Sequence, residues 1–111
     1  MLVWKVFRAA EWAAFEAAGE TAGAPVDLAD GFIHFSTAAQ LPATLRRHFA
    51  GERDLVLAGV AVAQLGDALR WEPARGGDLF PHLYRPLRRA EVARIHHLPE
   101  PGADDPLPPG D

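Results

Sequence analysis

One unbroken apolar run constrains this chain more than any other feature. Residues 55–63 read Leu-Val-Leu-Ala-Gly-Val-Ala-Val-Ala. Nine residues are too few to cross a bilayer, which takes about 20. No polar residue alternates in to mark a wet face, so the pattern predicts a strand over 54–62 that is buried on both sides. Such a strand needs a packing layer above and another below. A chain of 111 residues can supply both within one domain.

The flanking segments supply the layers. Residues 2–8, rich in Val, Trp and Phe, read as a strand. Residues 9–18 read as a helix, with Trp12 and Phe15 on one side and Gly19 as its stop. Residues 20–25 are turn-like with room for a short extended piece, and 27–30 fit one helical turn. Leu41, Leu45 and Phe49 recur at helical spacing and predict a second helix over about 37–50. Pro42 conflicts with a straight helix there, so a kink is expected, or a tight turn at 37–40 with the main helix starting near Pro42. Residues 69–72, 79–84 and 93–98 read as further strands. The pattern is α+β with two main helices.

Charge and cysteine content narrow the function classes. The net charge is −4, but Glu100, Asp104, Asp105 and Asp111 all lie in the stretch 99–111, which has no Lys or Arg. Without those four acids the body, 1–98, holds eleven acidic and eleven basic residues. A neutral body argues against general nucleic-acid binding. The stretch 99–111 also holds five of the ten prolines, so it is expected to be a disordered tail on a single domain, 1–98. There is no cysteine, and so no disulfide or thiolate site. The opening Met-Leu-Val-Trp-Lys lacks the pattern of a signal peptide. A cytoplasmic protein with no membrane association is expected.

The candidate site centres on residues 31–37, Gly-Phe-Ile-His-Phe-Ser-Thr. Alternation along a strand puts Ile33 and Phe35 on one face and Phe32, His34 and Ser36 on the other. Ser36 or Thr37 is placed to cap the following helix. In residues 79–84, Phe80, His82 and Tyr84 share a face, and Arg70 and Glu72 share one in residues 69–72. If these faces line one cleft, it gathers His34, Ser36, Glu72, His82 and Tyr84, with Arg75 on a nearby glycine-bearing loop. Such a set suits a sugar, a nucleotide or a phosphate, and His with Glu can serve as acid and base. Each residue also has a plainer reading. His34 fits a core histidine, Ser36 and Thr37 fit helix caps, and Glu72 with Arg70 fits an ion pair. A metal site lacks close ligand spacing and cysteine, so none is expected.

The same residues carry a resemblance to a known family. The segment from Asp30 to Thr37, then Gln40, Arg47-His48-Phe49, Leu69-Arg70-Trp71-Glu72-Pro73 and Phe80-Pro81-His82-Leu83-Tyr84 resemble the small bacterial family called domain of unknown function 952. The resemblance covers about 2–98. It implies a fold similar to ADP-ribosyltransferases, with a split, mostly antiparallel sheet around an NAD-sized cleft. By that analogy His34 would hold the adenosine-side ribose and Glu72 would steady the oxocarbenium-like transition state. Ser36 or Tyr84 would line the cleft. Glu72 precedes Tyr84 here, so the usual His–Tyr–Glu order is absent. The family has no established activity. The expected function is binding of a small nucleotide-like ligand, with NAD-dependent ADP-ribosyl transfer as its catalytic form. A non-catalytic binding module is the alternative, and a metal-dependent hydrolase ranks behind both. Glu72 and His34 are the candidate catalytic residues. His34, Ser36, Thr37, Arg75, His82 and Tyr84 are the candidate ligand contacts.

Overall fold

The structure is a computed structural model that describes residues 1–101, with the side chain of Arg75 left out. Strand β1 (Leu2–Phe7) leads into α1 (Ala9–Ala18), β2 (Glu20–Thr21), α2 (Pro25–Asp30) and β3 (Ile33–His34). Then come α3 (Leu41–His48), β4 (Leu55–Ala61), α4 (Val62–Leu65), β5 (Leu69–Pro73) and β6 (Leu79–Leu83). Strands β7 (Leu87–Arg88) and β8 (Val92–Leu98) close the chain order. The strands form sheets β1-β4-β8, β3-β6-β5 and β2-β7, and each pairing within them is antiparallel.

Strand β4 is the middle strand that the apolar run demanded. Leu55 and Leu57 pack on one side with Trp4, Val6, Leu98 and the α3 residues Leu41 and Leu45. Val56, Ala58 and Val60 pack on the other with Trp12 and Phe15 of α1 and with Ile33, Phe35 and Leu83 of the second sheet. A helix thus covers one face of β1-β4-β8, and a helix plus a second sheet cover the other. Two backbone hydrogen bonds tie the two larger sheets together: Trp4 N–H donates to the Ser36 carbonyl at 2.7 Å, and Ser36 N–H donates to the Trp4 carbonyl at 2.8 Å.

The α+β class stands, but the expected split sheet with two main helices of ADP-ribosyltransferase type needs correction. The chain has four α-helices among the described residues, of which α1, α2 and α3 run to six residues or more. The added one is α2. Pro25 sits in its first turn, Asp27 accepts a hydrogen bond from the Ala24 N–H at 2.7 Å, and Gly31 ends it at φ +87°. Those are the ordinary signals of a helix start and stop, and here they span six residues rather than one turn. Of the two arrangements that Pro42 allows, the structure has the second: a separate turn precedes α3, which starts at Leu41 with Pro42 in its first turn. The expected tail lies outside the described residues from 102 onward. Within the described part, Pro99 accepts from Asp54 N–H and Glu100 pairs with Arg53 at 2.7 Å. No described helix is long and apolar enough to cross a membrane.

Gly59 tests this packing. It sits opposite Trp4 in the β1–β4 register, and a Cβ there would lie 2.9 Å from the indole ring. Trp4 is 1% exposed and packs among Val6, Leu41, Leu45 and Leu57. Gly59→Ala should therefore destabilise the protein by about 1–3 kcal/mol through overpacking. Urea unfolding followed by tryptophan fluorescence checks this, and an unchanged midpoint would show that the indole can shift.

Candidate functional site

Alternation along β3 sends Ile33 and Phe35 into the core, where each is 2% exposed, and turns His34 to the opposite face. The register sets His34 across from His82, and His82 across from Arg70. One face of β3-β6-β5 therefore carries His34, His82 and Arg70 in a row. Phe32 stacks on the His82 ring at 4.1 Å, and the two imidazole centroids are 5.5 Å apart at an interplanar angle of 66°.

Helix α2 lays a buried carboxylate beside this row. Asp27 is 1% exposed and accepts four hydrogen bonds. Its Oδ1 takes the His34 ring Nδ1 at 2.6 Å and the His34 N–H at 3.0 Å. Its Oδ2 takes the Lys5 ammonium at 2.8 Å and the Ala24 N–H at 2.7 Å. Burial pushes the Asp27 carboxyl up, but the His34 hydrogen bond and the Lys5 charge outweigh burial and hold it at about 2. Gly23 makes room for this group, since a Cβ there would lie 2.6 Å from Oδ2. The other ring nitrogen of His34, Nε2, meets Asp30 Oδ2 at 3.0 Å.

A second dyad stands on the neighbouring strands. The His82 Nδ1 hydrogen-bonds Glu72 Oε1 at 2.8 Å, and the Tyr84 hydroxyl donates to the same oxygen at 2.7 Å. The bonds from Tyr84 and His82 hold the Glu72 carboxyl below its ordinary value, and the same contact pushes the Tyr84 hydroxyl up. The Arg70 guanidinium lies over the Tyr84 ring at 5.0 Å.

A cleft of about 510 Å³ opens between β1, α2, α3 and this face. Its wall includes His34, Ser36 and His82 from the candidate set. Glu72 and Tyr84 share the strand face but are not part of that wall, and neither is Thr37. Ser36 makes no helix cap: its hydroxyl pairs with that of Thr44 at 2.8 Å. Thr37 instead exchanges hydrogen bonds with Gln40, closing the turn that precedes α3. Arg75 falls outside what the structure describes of side chains. The cleft wall also holds Lys5, Arg8, Asp27, Asp30 and His48, none of which the sequence reading put in the site. Lys5 left a trace. It lies between Val3 and Phe7 on an inward face of a strand, where an ammonium needs a buried carboxylate. Among the described residues, no three His, Asp or Glu side chains converge as metal ligands.

A family model described as protein of unknown function (DUF952) matches residues 6–95. The chain belongs to the DUF952 family. The crystal structure of protein CC0527 from Caulobacter crescentus is 47% identical and superposes with a TM-score of 0.84, over 87% of this chain and 85% of that one. The solution NMR structure of CC0527 is 45% identical with a TM-score of 0.81, over 97% of this chain and 91% of that one. No curated protein matches the chain.

The Asp27 geometry in this DUF952 protein has a pH signature. Its carboxyl is at about 2 when folded against an ordinary 3.8, so folding favours the ionised form. The stability it contributes is complete above pH 3.8 and drains as the pH falls from there towards 2. The loss amounts to about 2 kcal/mol. Asp27→Asn should remove this part of the acid limb while lowering stability at neutral pH. Urea midpoints between pH 2 and pH 7 check it, and parallel curves for the two proteins would contradict it.

Proposed function

We propose that this DUF952 protein binds a small anionic, nucleotide-like ligand in the cleft, with His34 as its polar anchor. The carrying observation is the fixed imidazole. Asp27 holds Nδ1, and the buried Lys5 in turn holds Asp27, so the ring is already ordered beside the cleft, and a ligand oxygen reaches Nε2 by displacing the half-exposed Asp30. The balance of the wall supports an anion. Arg8, His34, His48 and His82 line the wall with nitrogen groups, Arg8 being paired with Glu52 and the buried Lys5 with Asp27. Phe80, Phe49 and Val26 supply apolar wall for a base or other flat group.

ADP-ribosyl transfer from NAD is a second reading, favoured by one observation. Glu72 shares the strand face of His34 and His82, which would suit a carboxylate that steadies a sugar cation. Against it, the Glu72 Oε1 is taken by His82 and Tyr84, and the carboxylates of the cleft wall are Asp27 and Asp30. Ligand binding is therefore the function that the geometry supports best.

A thermal-shift screen with AMP, ADP, ADP-ribose and NAD tests the reading, since a ligand of the native state raises apparent stability. His34→Asn is the informative variant. It keeps an N–H near the Nδ1 position for Asp27 and removes Nε2. Its affinity should fall by about 0.5–1.5 kcal/mol with little loss of stability. Phe15→Ala, in the core and away from the cleft wall, should do the reverse, losing about 3–5 kcal/mol of stability. His34→Ala would blur the two by leaving Asp27 short of a donor. NAD turnover by the wild type that collapses in Glu72→Gln would favour the transferase instead. No shift with any of the four compounds would contradict the proposal.

A further inference from the structure

We infer that His34 and His82 form an acid–base pair that hydrolyses a phosphodiester bond in the bound ligand. The inference rests on the nucleotide-binding reading and deepens it.

The observation is that two histidines of the cleft wall are each held by a carboxylate, Asp27 within the wall and Glu72 outside it. His34 and His82 are direct register partners on adjacent strands, and both line the cleft. Each has its Nδ1 fixed by a carboxylate, Asp27 at 2.6 Å and Glu72 at 2.8 Å. Each carboxylate is itself held, Asp27 by Lys5 and the Ala24 N–H, Glu72 by the Tyr84 hydroxyl. A structural histidine needs neither a second dyad nor a shared cleft. A carboxylate that fixes Nδ1 sets the orientation of the ring and supports the imidazolium, which is what a general acid or base requires. The same arrangement can orient metal ligands, but among the described residues no group of three or more His, Asp or Glu is placed to hold a metal ion.

The charged groups around the pair assign the roles. His34 faces Asp27 and Asp30 of α2, with Lys5 of β1 behind Asp27. Both its nitrogens lie within hydrogen-bond distance of carboxylate oxygens, which only accept, so His34 is placed to donate and takes the part of the acid. His82 faces Glu72, with Arg70 as its register partner and Tyr84 on the same carboxylate, and it is the base. Asp30 is half exposed at the end of α2, and a ligand oxygen takes its place on Nε2.

A phosphodiester fits this pair because its reaction takes one proton away and puts one back. His82 removes a proton from water as the water oxygen bonds to phosphorus. The bond from phosphorus to a sugar oxygen breaks, and that oxygen leaves with the proton from His34. One water is consumed, a phosphomonoester and a free hydroxyl result, and solvent resets the two imidazoles.

The probe is adenosine 2′,3′-cyclic phosphate, with binding followed by calorimetry and hydrolysis by phosphorus NMR. The wild type should bind and hydrolyse it with a bell-shaped pH profile of kcat/KM. His34→Asn and His82→Asn each keep the N–H to their carboxylate, and each should lower kcat about 10²–10⁴-fold, beyond any change in Kd. His34→Asn should lose the alkaline limb of the profile, and His82→Asn the acid limb. Glu72 is a positioning residue on a partly exposed site, so Glu72→Gln should fold and shift the acid limb alone. Binding without hydrolysis would overturn the acid–base pair and leave the ligand-binding reading intact. Hydrolysis that survives in both asparagine variants would also overturn the pair. Failure of the cyclic phosphate and of every nucleotide in the screen to bind would overturn both.

Discussion

The site depends on a single buried carboxylate. Asp27 accepts hydrogen bonds from Lys5 on β1, from the backbone at the start of α2, and from the ring and backbone of His34 on β3. Three elements, of which β1 is distant in sequence from the other two, meet on its two oxygens. A carboxylate this deeply buried is costly unless its lone pairs are taken and its charge is matched. Here four donors take them and one donor is an ammonium. The cost explains why the partners come as a set: removing one leaves the others with an uncompensated charge. It also explains Gly23, whose missing side chain leaves space against Asp27.

That carboxylate does its work only because the two sheets are joined at the right place. The hydrogen bonds between Trp4 and Ser36 bring β1 alongside the end of β3. Lys5 is the next residue after Trp4, so the same join delivers its ammonium to Asp27. The strand face beyond His34 then continues through His82 to Glu72, Tyr84 and Arg70. One interaction thus fixes the first imidazole, and the sheet register fixes the second beside it.

Much of this was legible from local pattern. The bounds of α1, the doubly buried β4 and the inward Ile33 and Phe35 follow from periodicity, because each depends on which faces are apolar. The shared face of His34 and His82 follows from alternation in two strands. The Lys5–Asp27 pair was not legible, because its partners are 22 residues apart and neither sits in a motif. A lysine on an inward strand face was the available signal. Helix α2 begins at Pro25, two residues before the turn expected over 27–30, because Pro25 reads equally well as the end of the turn-like stretch 20–25 and as a first helical residue. Sequence leaves the capping role open between Ser36 and Thr37, because it cannot show that Thr44 pairs with the Ser36 hydroxyl while Thr37 accepts from Gln40 N–H. The two-residue strands β2 and β7 depend on each other and carry no pattern of their own.

The most direct test of the account is nitrogen NMR of the His34 ring in the free protein. If the Asp27 carboxylate fixes this imidazole, Nδ1 carries a proton throughout the pH range in which the fold is stable. The expected spectrum therefore shows a protonated Nδ1 in the wild type and a mixed or inverted tautomer in Asp27→Asn. An unprotonated Nδ1 in the wild type, with the proton on Nε2 alone, would contradict the account.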